Sequence, residues 1–223
     1  MSASAGWFND WWTADQRFED SGNEFAGRLT GVPYWSDGGA NYLHLGVDWR
    51  YVGADEGTLQ FRGRPESNVT DYYVDSGKLT ADHANELNFE SAWGSGPLFF
   101  SGEYSRAWVD ARDSGDPHFW GTYIAASYVL TGEHRPYDKA VAYARRILPA
   151  HRWGAFEVVG RYSHVDVDDR LVRGGIFDRG TIGINWWATR RWKLGFDYGL
   201  IDLDRDGLNG VTHAFHSRIQ WAY

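Results

Sequence analysis

The feature that most constrains this chain is an alternation with a period of two. Residues 42 to 51 read Tyr-Leu-His-Leu-Gly-Val-Asp-Trp-Arg-Tyr, which sets Leu43, Leu45, Val47, Trp49 and Tyr51 against His44, Gly46, Asp48 and Arg50. Successive side chains of an extended backbone point to opposite faces, so one face of such a segment suits an apolar surround and the other suits water. Leu87, Phe89 and Trp93 stand likewise against Asn88 and Glu90, and Leu98, Phe100, Tyr104 and Trp108 against Ser101, Glu103 and Ser105. Near the end, Ile182, Ile184 and Trp186 oppose Thr181 and Asn185, while Trp192, Leu194, Phe196 and Tyr198 oppose Lys193, Gly195, Asp197 and Gly199. Adding 24–35, 58–64, 118–130, 154–165 and 211–223 makes about ten segments, close to the roughly 9–11 residues a tilted membrane-spanning strand needs. Turn-forming residues separate them, as in Ser36-Asp-Gly-Gly, Gly94-Ser-Gly-Pro and Asp204-Arg-Asp-Gly.

The alternation predicts an all-β fold, and composition says which kind. No run of about 18 apolar residues exists, so spanning by a helix is ruled out and strands must do it. Aromatic residues make up 17% of the 223 residues, with 13 Trp and 13 Tyr beside 27 Gly. Membrane barrels place Trp and Tyr in girdles at both lipid boundaries and Gly at turns and close strand contacts. A soluble β-sandwich also alternates, but its inner face is built of Val, Ile and Leu, and one that bound sugars would gather its rings at a single site. Here rings recur on almost every strand. The reading is a transmembrane antiparallel β-barrel forming one domain over residues 1–223, with the carbohydrate-binding sandwich as the rival of a different class.

Several function classes fall away. A net charge of −8 does not suit nucleic acid, whose phosphates require clustered positive charge. With no Cys there is neither a disulfide framework nor a thiolate site. A hydrolase would need a nucleophile, base and acid in mutual reach, yet Ser163 and His164 are strand neighbours and face opposite ways. His118, His151, His213 and His216 are scattered over strand ends and loops. The acidic stretch 166–169 and the 202–207 loop resemble cation loops, but the second lacks the later bidentate Glu, so both read as solvated outer loops that touch the divalent ions of lipopolysaccharide. No enzyme activity, cofactor or metal site is expected. Residues 1–12 lack the charged and apolar regions of a secretory signal, which leaves a removed signal or a fragment as the alternatives.

The last residues, Phe215, Ile219, Trp221 and Tyr223 alternating with His216, Arg218, Gln220 and Ala222, resemble the terminal strand signal that outer-membrane barrels present to their assembly machinery. Six stretches together resemble the phosphate-selective porin O/P family: Gly27-Arg-Leu-Thr, Leu43-His-Leu-Gly, Arg64-Pro-Glu, Leu130-Thr-Gly-Glu-His-Arg-Pro-Tyr, Gly154-Ala-Phe-Glu-Val-Val-Gly-Arg-Tyr-Ser and Gly183-Ile-Asn-Trp. Their order and spacing are similar to the C-terminal part of that family, from near Gly6 to Tyr223. The resemblance implies bacterial outer-membrane barrels of about sixteen strands, assembled as homotrimers in lipid and lipopolysaccharide and passing small anions, phosphate above all. It also implies that N-terminal strands of the family pattern are absent from this chain. A general diffusion porin without anion preference is the alternative within the same class.

If the apolar positions face lipid, parity turns Arg28, Arg50, Arg62, Arg64, Arg161, Lys193 and Arg218 to the lumen, along with Asp48, Glu90, Glu103, Glu157 and Asp197. Basic groups along the path would select anions, and guanidinium forks match oxyanions in two-point contacts. The alternative for each residue is a wall salt bridge, such as Glu157 with Arg161. The connection 132–153 is locally positive, with Arg135, Lys139, Arg145, Arg146, Arg152, His134 and His151 against Glu133 and Asp138. Counted back from a periplasmic C-terminus, it lies on the periplasmic side. Its residues 138–148 are expected as a short helix stopped by Pro149, docked through Val141 and Ile147, with Arg135, Lys139, Arg145 and Arg146 forming a basic constriction or, alternatively, a solvated surface turn.

Overall fold

The structure, a computed structural model, describes residues 1–8 and 21–222. Ten strands form one antiparallel sheet: β1 (Ser2–Phe8), β2 (Ser21–Ser36), β3 (Asn41–Ala54), β6 (His83–Ser95), β7 (Leu98–Asp110), β8 (His118–Val129), β11 (Ala155–Asp169), β12 (Val172–Trp187), β13 (Trp192–Arg205) and β14 (Leu208–Trp221). Each pairs with its neighbour in this order; β1 and β14 are the outermost strands and are not hydrogen-bonded to one another. Two small hairpins stand apart, β4 (Thr58–Gly63) with β5 (Val74–Thr80), and β9 (Tyr137–Asp138) with β10 (Tyr143–Ala144). The all-β barrel class expected from the alternation is the one found. The terminal Tyr223 and residues 9–12 of the leader reading lie outside the described residues.

The sheet carries its apolar side outward. Ile124, Ile182 and Phe215 expose 65%, 67% and 79% of their surface, far more than a folded chain could leave to water along a continuous face. Rings gather at both ends of that face. Trp153, Phe156 and Trp186 lie in sequence at 5.8 and 6.0 Å near the C-terminal end, and Trp7, Phe25 and Tyr51 at 6.4 and 6.3 Å near the other. An apolar belt between two aromatic girdles is the surface that a bilayer solvates.

The expected strand count holds, but its membership changes by one. Residues 58–64 are extended as anticipated, yet they do not span. The connection between β3 and β6 turns back into the barrel, and Leu59, Val74 and Leu79 pack against Val52, Val109, Phe119, Val167, Phe177 and Ile201 of the inner wall. Its apolar face meets protein where lipid was expected, because alternation reports only that one face is apolar. The tenth spanning place goes to Ser2–Phe8, whose small residues barely alternate. Filling the lumen there buries Val74, Phe177 and Ile201 almost completely, worth about 1.5–3 kcal/mol apiece.

Residues 138–148 are not helical. Asp138 and Tyr137 pair with Tyr143 and Ala144, and the reversal passes through Ala142 at φ 54°. Ile147 docks as expected, fully buried with Val129, Ala155 and Trp187, whereas Val141 is exposed. An extended path wins because the inner wall supplies partners for it. Tyr42 donates its hydroxyl to the Arg135 carbonyl at 3.3 Å, and the Tyr137 ring lies 4.9 Å from that of Tyr42.

Candidate functional site

Because strands alternate, the polar residues of β2, β3, β11, β12, β13 and β14 converge on the interior, where loops entering from both ends meet them. From the far end comes the 54–83 connection with β4 and β5. From the end that carries the C-terminus comes 130–154. Between them the charged groups sort into three clusters.

The first faces a cavity of about 690 Å³ beside β4, whose lining includes Arg28, Arg50 and Arg62 with Asp48 and Glu86. Arg28 reaches Glu90 at 2.6 Å and Asp48 at 3.3 Å, and Arg50 reaches Glu24 at 2.8 Å and Glu86 at 3.5 Å. Gly46 makes the first contact possible, since a Cβ there would stand 2.2 Å from the Glu90 carboxylate. Glu90 also accepts from Nε2 of buried His44 at 3.0 Å. The Nδ1 of His44 lies 2.6 Å from the Tyr137 hydroxyl, in hydrogen-bond contact. Burial pushes the Tyr137 phenol up, and its contact with His44 clips the 130–154 segment to the wall. Arg62 and Arg64 stack on the Tyr72 ring at 4.4 and 3.9 Å, and Arg64 donates to the Thr70 carbonyl at 2.8 Å.

In the second cluster, Glu66 of the inward connection meets Arg161 and Ser163 of β11 and Arg179 of β12. Arg179 is 2% exposed and also contacts Asp197 at 3.4 Å; a Cβ on Gly199 would collide with its guanidinium. The anticipated Glu157–Arg161 bridge does not form.

The third cluster surrounds Trp187. Lys193 lies 4.6 Å from its ring, Arg146 5.8 Å and Arg135 5.9 Å. Arg218 of β14 pairs with Gly195 of β13 near this end and stands exposed. Glu157 is fully buried and accepts from Arg135, from Asn185 at 3.0 Å and from the Trp187 indole at 3.1 Å. Among the described residues this is the cluster in which positive charge exceeds negative.

Comparison with known proteins now identifies the architecture. The family model described as phosphate-selective porin O and P matches residues 2–223. The chain belongs to the phosphate-selective porin O and P family. This porin-family chain is 27% identical over 244 residues to a protein named Porin O from Pseudomonas aeruginosa, an alignment covering 94% of the chain and 55% of that protein. It is also 27% identical over 173 residues to an uncharacterized protein of Caulobacter vibrioides, covering 74% of the chain and 35% of the other. The chain thus spans about half the length of Porin O or less of such relatives.

Within this porin-family chain the four residues expected at the constriction part company. Arg135 and Arg146 enter the Trp187 cluster. Lys139 sits over the Trp35 ring at 3.6 Å, and Arg145 gives Nε and Nη2 to one oxygen of Asp138 at 3.0 and 2.7 Å. Arg145 holds the Asp138 carboxyl below the usual carboxylate range, seconded by the Ala140 amide. A carboxylate whose folded value is depressed stabilises above its unfolded value, about 3.9, and loses that support as pH falls through the folded one. Amides of the β9–β10 hairpin are therefore expected to keep their hydrogen-exchange protection at pH 5 and to lose it in stronger acid, and Asp138→Asn should abolish that pH dependence.

Sequence reasoning passed over Arg179, Glu66, His44 and Trp187 as working groups. Arg179 shares the parity of Thr181 and Asn185 and would have been found had the strand been extended back to its true start at Val172. Glu66 could not be placed, since its partners lie 95 residues or more along the chain.

Proposed function

We propose that this chain builds part of the wall of a bacterial outer-membrane channel that passes small anions, phosphate among them, passively and without catalytic turnover. The observation that carries the reading is the excess of positive charge around Trp187, where Arg135, Arg146 and Lys193 lie against the ring beside a lone Glu157 at the end of the barrel entered by 130–154. Anion selection requires a local positive potential on the path, and an aromatic face holds cations fixed; Arg135 is ion-paired with Glu157, whereas Arg146 and Lys193 keep their charge against the Trp187 ring. Arg28, Arg50 and Arg161 lie in ion pairs and supply wall structure more than potential. Lipid and lipopolysaccharide around the apolar belt, delivery by the barrel assembly machinery and a homotrimer belong to the same reading.

The test is the reversal potential of the refolded protein in a planar bilayer under a KCl gradient. The native chain is expected to favour chloride, and Arg146→Glu with Lys193→Glu is expected to lower the anion-to-cation permeability ratio by about tenfold, given three like charges reduced to one with two reversed. A reversal potential unmoved by the double change would reduce the protein to a general diffusion porin. Absence of conductance in the native protein would remove the channel reading.

A further inference from the structure

We infer that Arg161, Ser163 and Arg179 form an oxyanion-binding site whose present occupant is the chain's own Glu66. The inference rests on the channel reading only in taking the sheet interior as water-facing. Both oxygens of the Glu66 carboxylate are used. Oε1 accepts from Nε of Arg161 at 2.5 Å and from the Ser163 hydroxyl, and Oε2 lies 3.5 Å from Nε of Arg179. Two guanidinium groups and a hydroxyl converging on one carboxylate is the donor set that binds a free carboxylate or phosphate.

The receptor half is built into the wall and does not depend on the ligand. Arg161 lies 3.7 Å over the Tyr123 ring and donates to Ser163 at 3.1 Å. Arg179 is almost wholly buried, donates to Thr181 at 2.9 Å and rests against Asp197 and His216 at 3.4 Å. With Glu66 withdrawn, Asp197 is the one carboxylate still ion-paired with Arg161 or Arg179 among the described residues, which leaves a net positive pocket. Access exists, since the Arg161 side chain remains 36% exposed.

The occupant half is held by other means too. Arg179 donates to the Pro65 carbonyl, Tyr73 meets Thr212 at 3.2 Å, and Arg205 donates to the carbonyls of Tyr72 and Tyr73 at 3.3 Å. Neutralising Glu66 therefore removes the negative charge from the site while its backbone stays put. Glu66 acts as a tethered competitor, and an anion passing through the lumen meets this site only as far as it outcompetes that carboxylate.

The experiment is a calorimetric titration of inorganic phosphate into detergent-folded protein, with strand content followed by circular dichroism. Glu66→Gln is expected to bind phosphate at least about tenfold more tightly than the native chain, and adding Arg161→Gln should cancel the gain. Equal affinity of folded Glu66→Gln and native protein overturns the proposal and leaves the channel reading untouched, because no conduction is measured. Should Glu66→Gln not fold, excess phosphate added to the native protein is expected to raise hydrogen exchange across residues 64–73, and to do so less in Arg161→Gln. No phosphate-dependent exchange in the native protein overturns the proposal equally.

Discussion

Replacing Arg135 by Ala is expected to destabilise the folded barrel by about 3–5 kcal/mol, read as a lowered urea midpoint of the protein in detergent or short-chain lipid. The magnitude follows from what is left behind. Glu157 has no exposed surface, and Arg135 is the cation that touches it, while Asn185 and Trp187 supply only neutral donors. A buried carboxylate without its counter-ion must either stay charged in a poor solvent or take up a proton, and both cost free energy. The same change removes the stacking of the guanidinium on Phe99 at 4.9 Å and its donation to the Arg145 carbonyl at 3.3 Å, so the 130–154 segment should become more open to protease. Glu157→Gln added to Arg135→Ala should recover most of the loss, because the amide keeps an oxygen for Asn185 and Trp187 without the charge. A double variant as unstable as the single would assign the effect to packing.

How far the sequence could be read depended on whether a group's partner lay near it along the chain. The faces of β3, β6, β7 and β13 followed directly from alternation, as Leu43 to Tyr51 illustrate, since parity is a property of the local backbone. What parity could not say is which apolar surround each face meets. Leu59 and Phe61 have the same pattern as Leu43 and Leu45, but the former pack inside the barrel against Phe119 and its neighbours, at 5.2 Å between the Phe61 and Phe119 rings. Spacing suggested a helix over 138–148, and tertiary contacts overruled it: Tyr137 found His44 and Arg135 found Glu157, each on a wall strand far off in the chain. The lumen's basic residues were identifiable one by one, but their pairing was not. Two glycines were the usable hint, because Gly46 and Gly199 sit where any side chain would displace Glu90 or Arg179.

Placing a charge on the outer face offers the sharpest test of the fold itself. Ile182 of β12 points outward with 67% of its surface exposed, between Gly160 of β11 and Tyr198 of β13. In a soluble sheet, Ile182→Lys at so open a position would change stability by no more than about 0.5 kcal/mol. In a bilayer the ammonium must enter hydrocarbon, at a cost of about 2–4 kcal/mol near the midplane. Refolding into phosphatidylcholine vesicles with a urea titration is expected to show that loss for Ile182→Lys. Ser101→Lys, whose side chain shares the inward parity of Glu103 on β7, should show little, since water and a carboxylate are at hand there. If the two lysines cost the same, the outward apolar face does not meet lipid, and the transmembrane reading of the sheet fails with it.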